Sequence, residues 1–235
     1  MTITPYIVLF RPSSSLNWLR LGASIRGTNS DFFFSRPAFT IARMKRAVFL
    51  DRDGTMIAEV NYLSRPEQIK IFPGTRTGLK KLCEAGFKLF IVSNQSGVGR
   101  GYFTMADVDK VNKVLCDELS QDGVGIEKIY IAPEKPDEPS YGRKPLPQFL
   151  FDARDEFGVD LSESFIIGDK VIDLECGWNA GVKKSILVRT GYGAEVERAS
   201  GPRLANAVIA DDLDQAATLI LGDFFLGLKA GAGVV

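Results

Sequence analysis

Ala47-Val48-Phe49-Leu50-Asp51-Arg52-Asp53-Gly54-Thr55 is a short apolar run that stops abruptly at two aspartates spaced i, i+2. A continuous apolar run closed by a turn signal has the pattern of a buried strand. Alternate strand residues share a face, so Asp51 and Asp53 are expected to point into the same crevice. Gly54 lets the chain turn sharply straight after them. In open α/β sheets the crevice beyond the carboxyl ends of the strands is where ligands bind. Two carboxylates there repel each other unless something positive sits between them, and a hard cation such as Mg²⁺ is the usual answer. Alone, the same letters also read as a strand followed by a polar turn, because Asp and Gly are common turn residues.

The chain on either side favours the first reading. Downstream, strand patterns alternate with helix patterns. Helical spacing appears over Thr75–Ala85, from Thr104 to about Gln121, from Pro147 to Phe157, over 171–180, and from Leu213 to about Leu221. Strand patterns appear at Phe87–Val92, Ile126–Ile131, Phe165–Ile167, Ser185–Val188 and Ala207–Ala210. Thr104 is placed to cap its helix, with Asp107 three residues on. That helix has an apolar stripe of Val108, Val111, Val114, Leu115 and Leu119. Such alternation implies a three-layer α/β fold, Rossmann-like, with a mostly parallel sheet and helices on both faces.

Three further segments follow predicted strands, and each suits phosphate chemistry. Ser93-Asn94-Gln95-Ser96-Gly97-Val98-Gly99-Arg100-Gly101 brings hydroxyl and backbone N–H groups close to an anion, with Arg100 as a phosphate fork. Arg143-Lys144-Pro145 supplies a lysine to neutralise a phosphoryl group. Gly168-Asp169-Lys170-Val171-Ile172-Asp173 offers a second candidate Mg²⁺ ligand, Asp169, with Asp173 returning to the same helical side at i+4. Singly these also read as a glycine loop, a solvated basic pair and a helix cap.

Composition narrows the chemistry further. The chain has 235 residues, is 45% hydrophobic and 25% charged, and contains no histidine. Histidine-based triads, general bases and metal sites are therefore excluded. Cys83, Cys116 and Cys176 are far apart with no C-x-x-C pair, so they read as core residues in a reducing compartment, and the cytoplasm is expected. Basic and acidic residues balance at 29 each, yet seven of the basic residues and one acid fall in 1–46. The remainder is net acidic, so nucleic acid is not an expected partner, and the apolar stretches Ile3–Phe10 and Thr218–Leu228 are too short to span a membrane, so a membrane is not expected either. Residues 1–43, rich in Ser and Arg, suit an organelle transit segment, an upstream stretch before a start at Met44, or a poorly ordered tail. The folded domain is placed at 44–228, a flexible tail at 229–235, and a monomer is expected.

In this order, the four strand-end segments resemble the haloacid dehalogenase-like superfamily of Mg²⁺-dependent phosphohydrolases. The likeness spans roughly residues 46–191, with Leu187-Val188-Arg189-Thr190-Gly191 adding to it. Within the superfamily it is closer to the branch of sugar bisphosphate phosphatases and histidinol-phosphatase domains. The resemblance implies Asp51 as nucleophile and Asp53 as general acid and base. It implies Mg²⁺ held by Asp51, the backbone carbonyl of Asp53 and Asp169, with Lys170 and Asp173 orienting that side. It implies Thr55, Ser93, Asn94, Arg100, Arg143 and Lys144 around the phosphates. The substrate it implies is heptose 1,7-bisphosphate losing its 7-phosphate, with histidinol phosphate, or a silent phosphosugar-binding role, as alternatives. Many members of the branch hold zinc in a Cys/His cluster before the Arg-Lys-Pro segment. Here Pro133–Gly142 contains neither residue, so no zinc is expected. The intervals from Asp51 to Ser93 and from Ser93 to Lys144 leave no room for an inserted cap domain.

Overall fold

The computed structural model describes residues 45–231, with side chains described through Phe224. The expected extension 1–43 and the residues after 231 lie outside that range. In chain order the elements are β1 (Ala47–Leu50), α1 (Pro73–Glu84), β2 (Lys88–Asn94), α2 (Ser96–Gly99), α3 (Met105–Ser120), β3 (Ile126–Ala132), α4 (Gln148–Phe157), β4 (Phe165–Gly168), α5 (Val171–Ala180), β5 (Lys184–Val188), α6 (Gly193–Ser200), β6 (Ala207–Ala210) and α7 (Leu213–Gly231).

The six strands form one sheet in the order β3-β2-β1-β4-β5-β6, and every pairing is parallel. Parallel strands are buried on both faces, which is why β1 reads as a continuous apolar run and not as an alternation. Val48 and Leu50 face a core with Leu79 and Leu82 of α1, Val111 and Leu115 of α3, and Ala217 and Ile220 of α7. Ala47 and Phe49 face the opposite core, with Leu150 of α4 and Cys176 of α5. The three expected layers are thus present.

Thr104 caps α3 as expected: its Oγ1 accepts from the Asp107 N–H, and Asp107 Oδ2 accepts from the Thr104 N–H at 3.0 Å. The stripe differs in one member. Val108, Val111, Leu115 and Leu119 are buried, but Val114 lies on the flank, half-buried, and Asn112 takes the inward position. α7 runs ten residues past the expected end at Leu221 and three past the expected boundary at 228, because Gly222 sits in open space and does not interrupt the helix. α2 and α6 were not expected. No folded cap interrupts the described residues, and residues 51–72 and 133–147 cross above the sheet as loops containing one short 3₁₀ turn.

The strand order reverses direction between β1 and β4, where outward connections lead to opposite edges of the sheet. Such a switch point leaves a crevice at the carboxyl ends of the two strands. Asp51 follows β1 and Asp169 follows β4, so Asp51 opens into it and Asp169 lies buried at its base.

Candidate active site

The β1 turn is fixed by its own backbone. The Asp51 N–H donates to the Ile167 carbonyl of β4 at 2.9 Å, and Gly54 N–H donates to Ile57 O at 2.8 Å. Gly54 has φ +90°, and a Cβ there would lie 2.2 Å from Asp169 Oδ2, so glycine is required for both conformation and space. Beyond the turn opens a cleft of about 350 Å³. Asp51, Asp53, Ser93, Lys144, Lys170 and Asp173 are among its walls.

Lys144 is buried between two acids, with Nζ 2.6 Å from Asp51 Oδ1 and 2.7 Å from Asp173 Oδ1. Burial alone would depress its pKa, but the charges of Asp173 and Asp51 outweigh burial and hold the ammonium above the usual lysine range. Asp173 Oδ2 accepts from the Lys170 N–H at 2.9 Å, so both of its oxygens are engaged. Burial pushes its carboxyl up, against the pull of Lys144.

Asp169 is fully buried. Its Oδ2 accepts from the Tyr192 N–H at 2.9 Å, while Oδ1 has no hydrogen-bond partner and only a long ion pair, 3.8 Å, to Lys170 Nζ. Burial, and then the charge of Asp51, push its carboxyl up to about 8. Carboxylate oxygens of Asp51, Asp169 and Asp173 lie within 4.8 Å of one another. An orphaned buried oxygen in an all-oxygen set of like charges fits a hard divalent cation. Because Lys144 and the α5 backbone already occupy Asp173, Asp51 and Asp169 are the carboxylates best placed to hold one.

Asp53 lines the same cleft but stands outside that group of three. Its carboxylate accepts from Arg52 Nε at 3.0 Å and Gln95 Nε2 at 2.8 Å. Gln95 Nε2 also donates to Ser93 Oγ at 2.8 Å. Asn94 clamps the Lys144 backbone with two bonds: Nδ2 donates to Lys144 O at 3.1 Å, and Lys144 N–H donates to Oδ1 at 3.0 Å. One amide side chain at the tip of β2 therefore sets the height of the lysine.

The rim has its own bracing. Arg143 donates from Nη1 to Glu134 O at 2.9 Å, and from its backbone N–H to Ser140 Oγ at 3.1 Å. Ser140 Oγ in turn donates to Glu134 Oε2 at 2.7 Å. Burial, together with nearby Arg100, depresses the Arg143 guanidinium pKa, partly offset by Glu134. Arg100 is exposed and does not line the cleft, although it sits close enough for Arg143 to feel its charge. On the opposite rim Lys170 Nζ pairs with Glu59 Oε2 at 3.1 Å and lies 4.9 Å from the Tyr192 ring centroid.

The cleft thus gathers Asp51, Asp53, Ser93, Asn94, Arg143, Lys144, Lys170 and Asp173, with Asp169 sealed beneath. Thr55 is fully buried and does not line the cleft, because the turn at Gly54 carries the chain inward before Thr55 is reached. Arg52, Gln95, Asn112, Glu59 and Tyr192 were missed. Asn112 did carry a signal, as a polar residue within an apolar helix stripe; the others carried none.

A family profile described as HAD-hydrolase-like matches residues 141–216, which contain the Lys144 and Asp169 segments. The D-glycero-D-manno-heptose-1,7-bisphosphate 7-phosphatase of Chlorobaculum tepidum is 39% identical over 191 residues, covering 75% of this chain and 95% of its own. The chain belongs to the haloacid dehalogenase-like phosphatases. The D-glycero-beta-D-manno-heptose-1,7-bisphosphate 7-phosphatase of Yersinia pestis is 35% identical over 158 residues, covering 64% of this chain and 84% of its own. Among solved structures, a D,D-heptose 1,7-bisphosphate phosphatase from B. bronchiseptica, complexed with magnesium and phosphate, superposes with a TM-score of 0.71 at 28% identity, covering 76% of this chain and 99% of that one. As a haloacid dehalogenase-like phosphatase this chain is a phosphoric monoester hydrolase, and its oxygen-donor set at Asp51 and Asp169 suits the Mg²⁺ that such enzymes use.

Proposed function

We propose that the chain removes the 7-phosphate of D-glycero-D-manno-heptose 1,7-bisphosphate through a phosphoaspartate on Asp51. The observation that carries the reading is the pairing of Asp51 with Lys144 beside the orphaned oxygen of Asp169, at the crevice between β1 and β4. The names of the relatives supply the substrate. Asp51 attacks phosphorus through a carboxylate oxygen; the new P–O bond forms as the bond to the sugar oxygen breaks. Asp53 gives its proton to the departing alkoxide, then takes one from the water that cleaves the phosphoaspartate. Ser93 and Lys144 bind the transferring oxygens, and Asn94 fixes the Lys144 backbone.

Asp51, Asp169 and the Asp53 carbonyl would hold Mg²⁺. The chemistry bound Mg²⁺ supplies is neutralisation of charge between the carboxylates and the phosphoryl oxygens. Arg143, with Arg100 behind it, suits the distal phosphate of a bisphosphate. The loop-built, capless cleft suits a small sugar. The reading includes a monomer acting in the cytoplasm, which sedimentation and fractionation test.

The decisive experiment is phosphate release with Mg²⁺ from both anomers of heptose 1,7-bisphosphate, histidinol phosphate and a sugar-phosphate panel. One heptose anomer should exceed the rest in kcat/KM, and Asp51→Asn should abolish turnover. A flat profile removes the substrate; retained turnover in Asp51→Asn removes the nucleophile.

A further inference from the structure

α3 carries a single inward polar residue, Asn112, on the face that buries Val108, Val111, Leu115 and Leu119. Asn112 is 5% exposed. Its Oδ1 accepts from Arg52 Nη1 at 2.7 Å. Arg52 is 1% exposed, and the other edge of its guanidinium is turned to Asp53, with Nε 3.0 Å from Oδ2 and Nη2 3.2 Å from Oδ1. Gln95 Nε2 reaches Oδ2 at 2.8 Å from the end of β2.

Arg52 and Asp53 are neighbours in the chain and share one turn, so their contact alone gives neither side chain a reference outside that turn. Asn112 provides one from an element sixty residues away. A guanidinium is a rigid plane with five donors in fixed directions, so fixing Nη1 fixes the direction of the Nε and Nη2 edge. A buried asparagine on an apolar helix face is unfavourable unless it is hydrogen-bonded, and here its bond goes to a side chain that touches the site.

We propose that Asn112 is a positioning residue for proton transfer. It holds the Arg52 fork, and the fork, with Gln95, holds the Asp53 carboxyl toward the leaving oxygen. This rests on the reading of Asp53 as general acid. In that step the P–O bond to the leaving group breaks while the Asp53 proton passes to the leaving oxygen. A sugar alkoxide needs that proton; a nitrophenolate leaves with little help. Misplacing Asp53 therefore penalises the two substrates unequally, whereas general loosening of the fold penalises them alike.

The test compares kcat/KM, which reports steps through the first irreversible one, for heptose 1,7-bisphosphate and p-nitrophenyl phosphate with Mg²⁺. Asn112→Ala should lower the value for the sugar by about tenfold, and that for the aryl ester by less than about threefold, a part of the 10²–10⁴ available to general acid catalysis. Asn112→Asp, which keeps the acceptor, should restore most of the loss, and Asp53→Asn should show the same split enlarged. If Asn112→Ala is too unstable to assay, Asn112→Ser carries the same expectation. Equal losses on both substrates, or none, with the split intact in Asp53→Asn, overturn the positioning role and leave the function standing. No split in Asp53→Asn overturns the general-acid reading and this inference with it.

Discussion

Lys144→Ala removes an ammonium that sits 2.6 Å from Asp51 Oδ1 and 2.7 Å from Asp173 Oδ1, with all three side chains at most 8% exposed. At such separations each pair is worth about 6 kcal/mol before desolvation, taking an effective dielectric near 20. Desolvation cancels most of that while the cluster is intact. Removing one partner is different, because the buried carboxylates remain, and this costs about 3–5 kcal/mol. In a domain of this size 1 kcal/mol moves the midpoint by about 2–4 °C, so the metal-free variant should melt roughly 6–20 °C below the native protein. Thermal unfolding in EDTA at pH 7.5 reads this directly. Adding Asp173→Asn takes away one of the stranded charges, so the double variant should melt above Lys144→Ala. A single variant within about 2 °C of native, or a double variant that melts lower still, would refute the claim that this lysine neutralises both acids.

Mg²⁺ should raise the melting midpoint more at pH 8.5 than at pH 6. With its carboxyl pushed up to about 8, Asp169 is protonated at pH 6, where the cation must displace that proton, and is largely ionised at pH 8.5. Equal shifts at the two pH values would contradict this. Gly191→Ala places a Cβ 2.3 Å from Asp169 Oδ2 at φ +56°, and titration calorimetry should show Mg²⁺ affinity weakened at least about tenfold, given a left-handed strain of about 1–2 kcal/mol before any clash. Ser140→Ala removes the hydroxyl joining Arg143 to Glu134; steady-state kinetics should show KM for the bisphosphate raised about fivefold with kcat held within about twofold, near the value of one hydrogen bond, and Ser140→Thr should recover it. An unchanged KM would detach Arg143 from substrate binding.

The sheet was legible because buried parallel strands write themselves as short apolar runs, and each of the five helices expected from spacing is present. The acids at the ends of β1 and β4 were legible for the same reason, since each follows such a run directly. α2 escaped notice because a four-residue turn containing two glycines carries no periodicity. Thr55 was carried over from the family motif and not from any spacing in this chain, and the left-handed turn at Gly54 leaves it outside the cleft. Arg52 and Asn112 were missed for a deeper reason. Their bond joins a turn to a helix in a different layer, and no local spacing encodes that meeting.

The bracing of residues 133–143 separates two dependencies that a metal-stapled rim would combine. Glu134, Ser140 and Arg143 hold one another by hydrogen bonds and by the Glu134 charge, while the acids at β1 and β4 call for a divalent ion. A chelator should therefore stop turnover without slackening the wall proposed for the far end of the substrate. Resupplying magnesium should return full turnover within mixing time, with no lag for a loop to re-form.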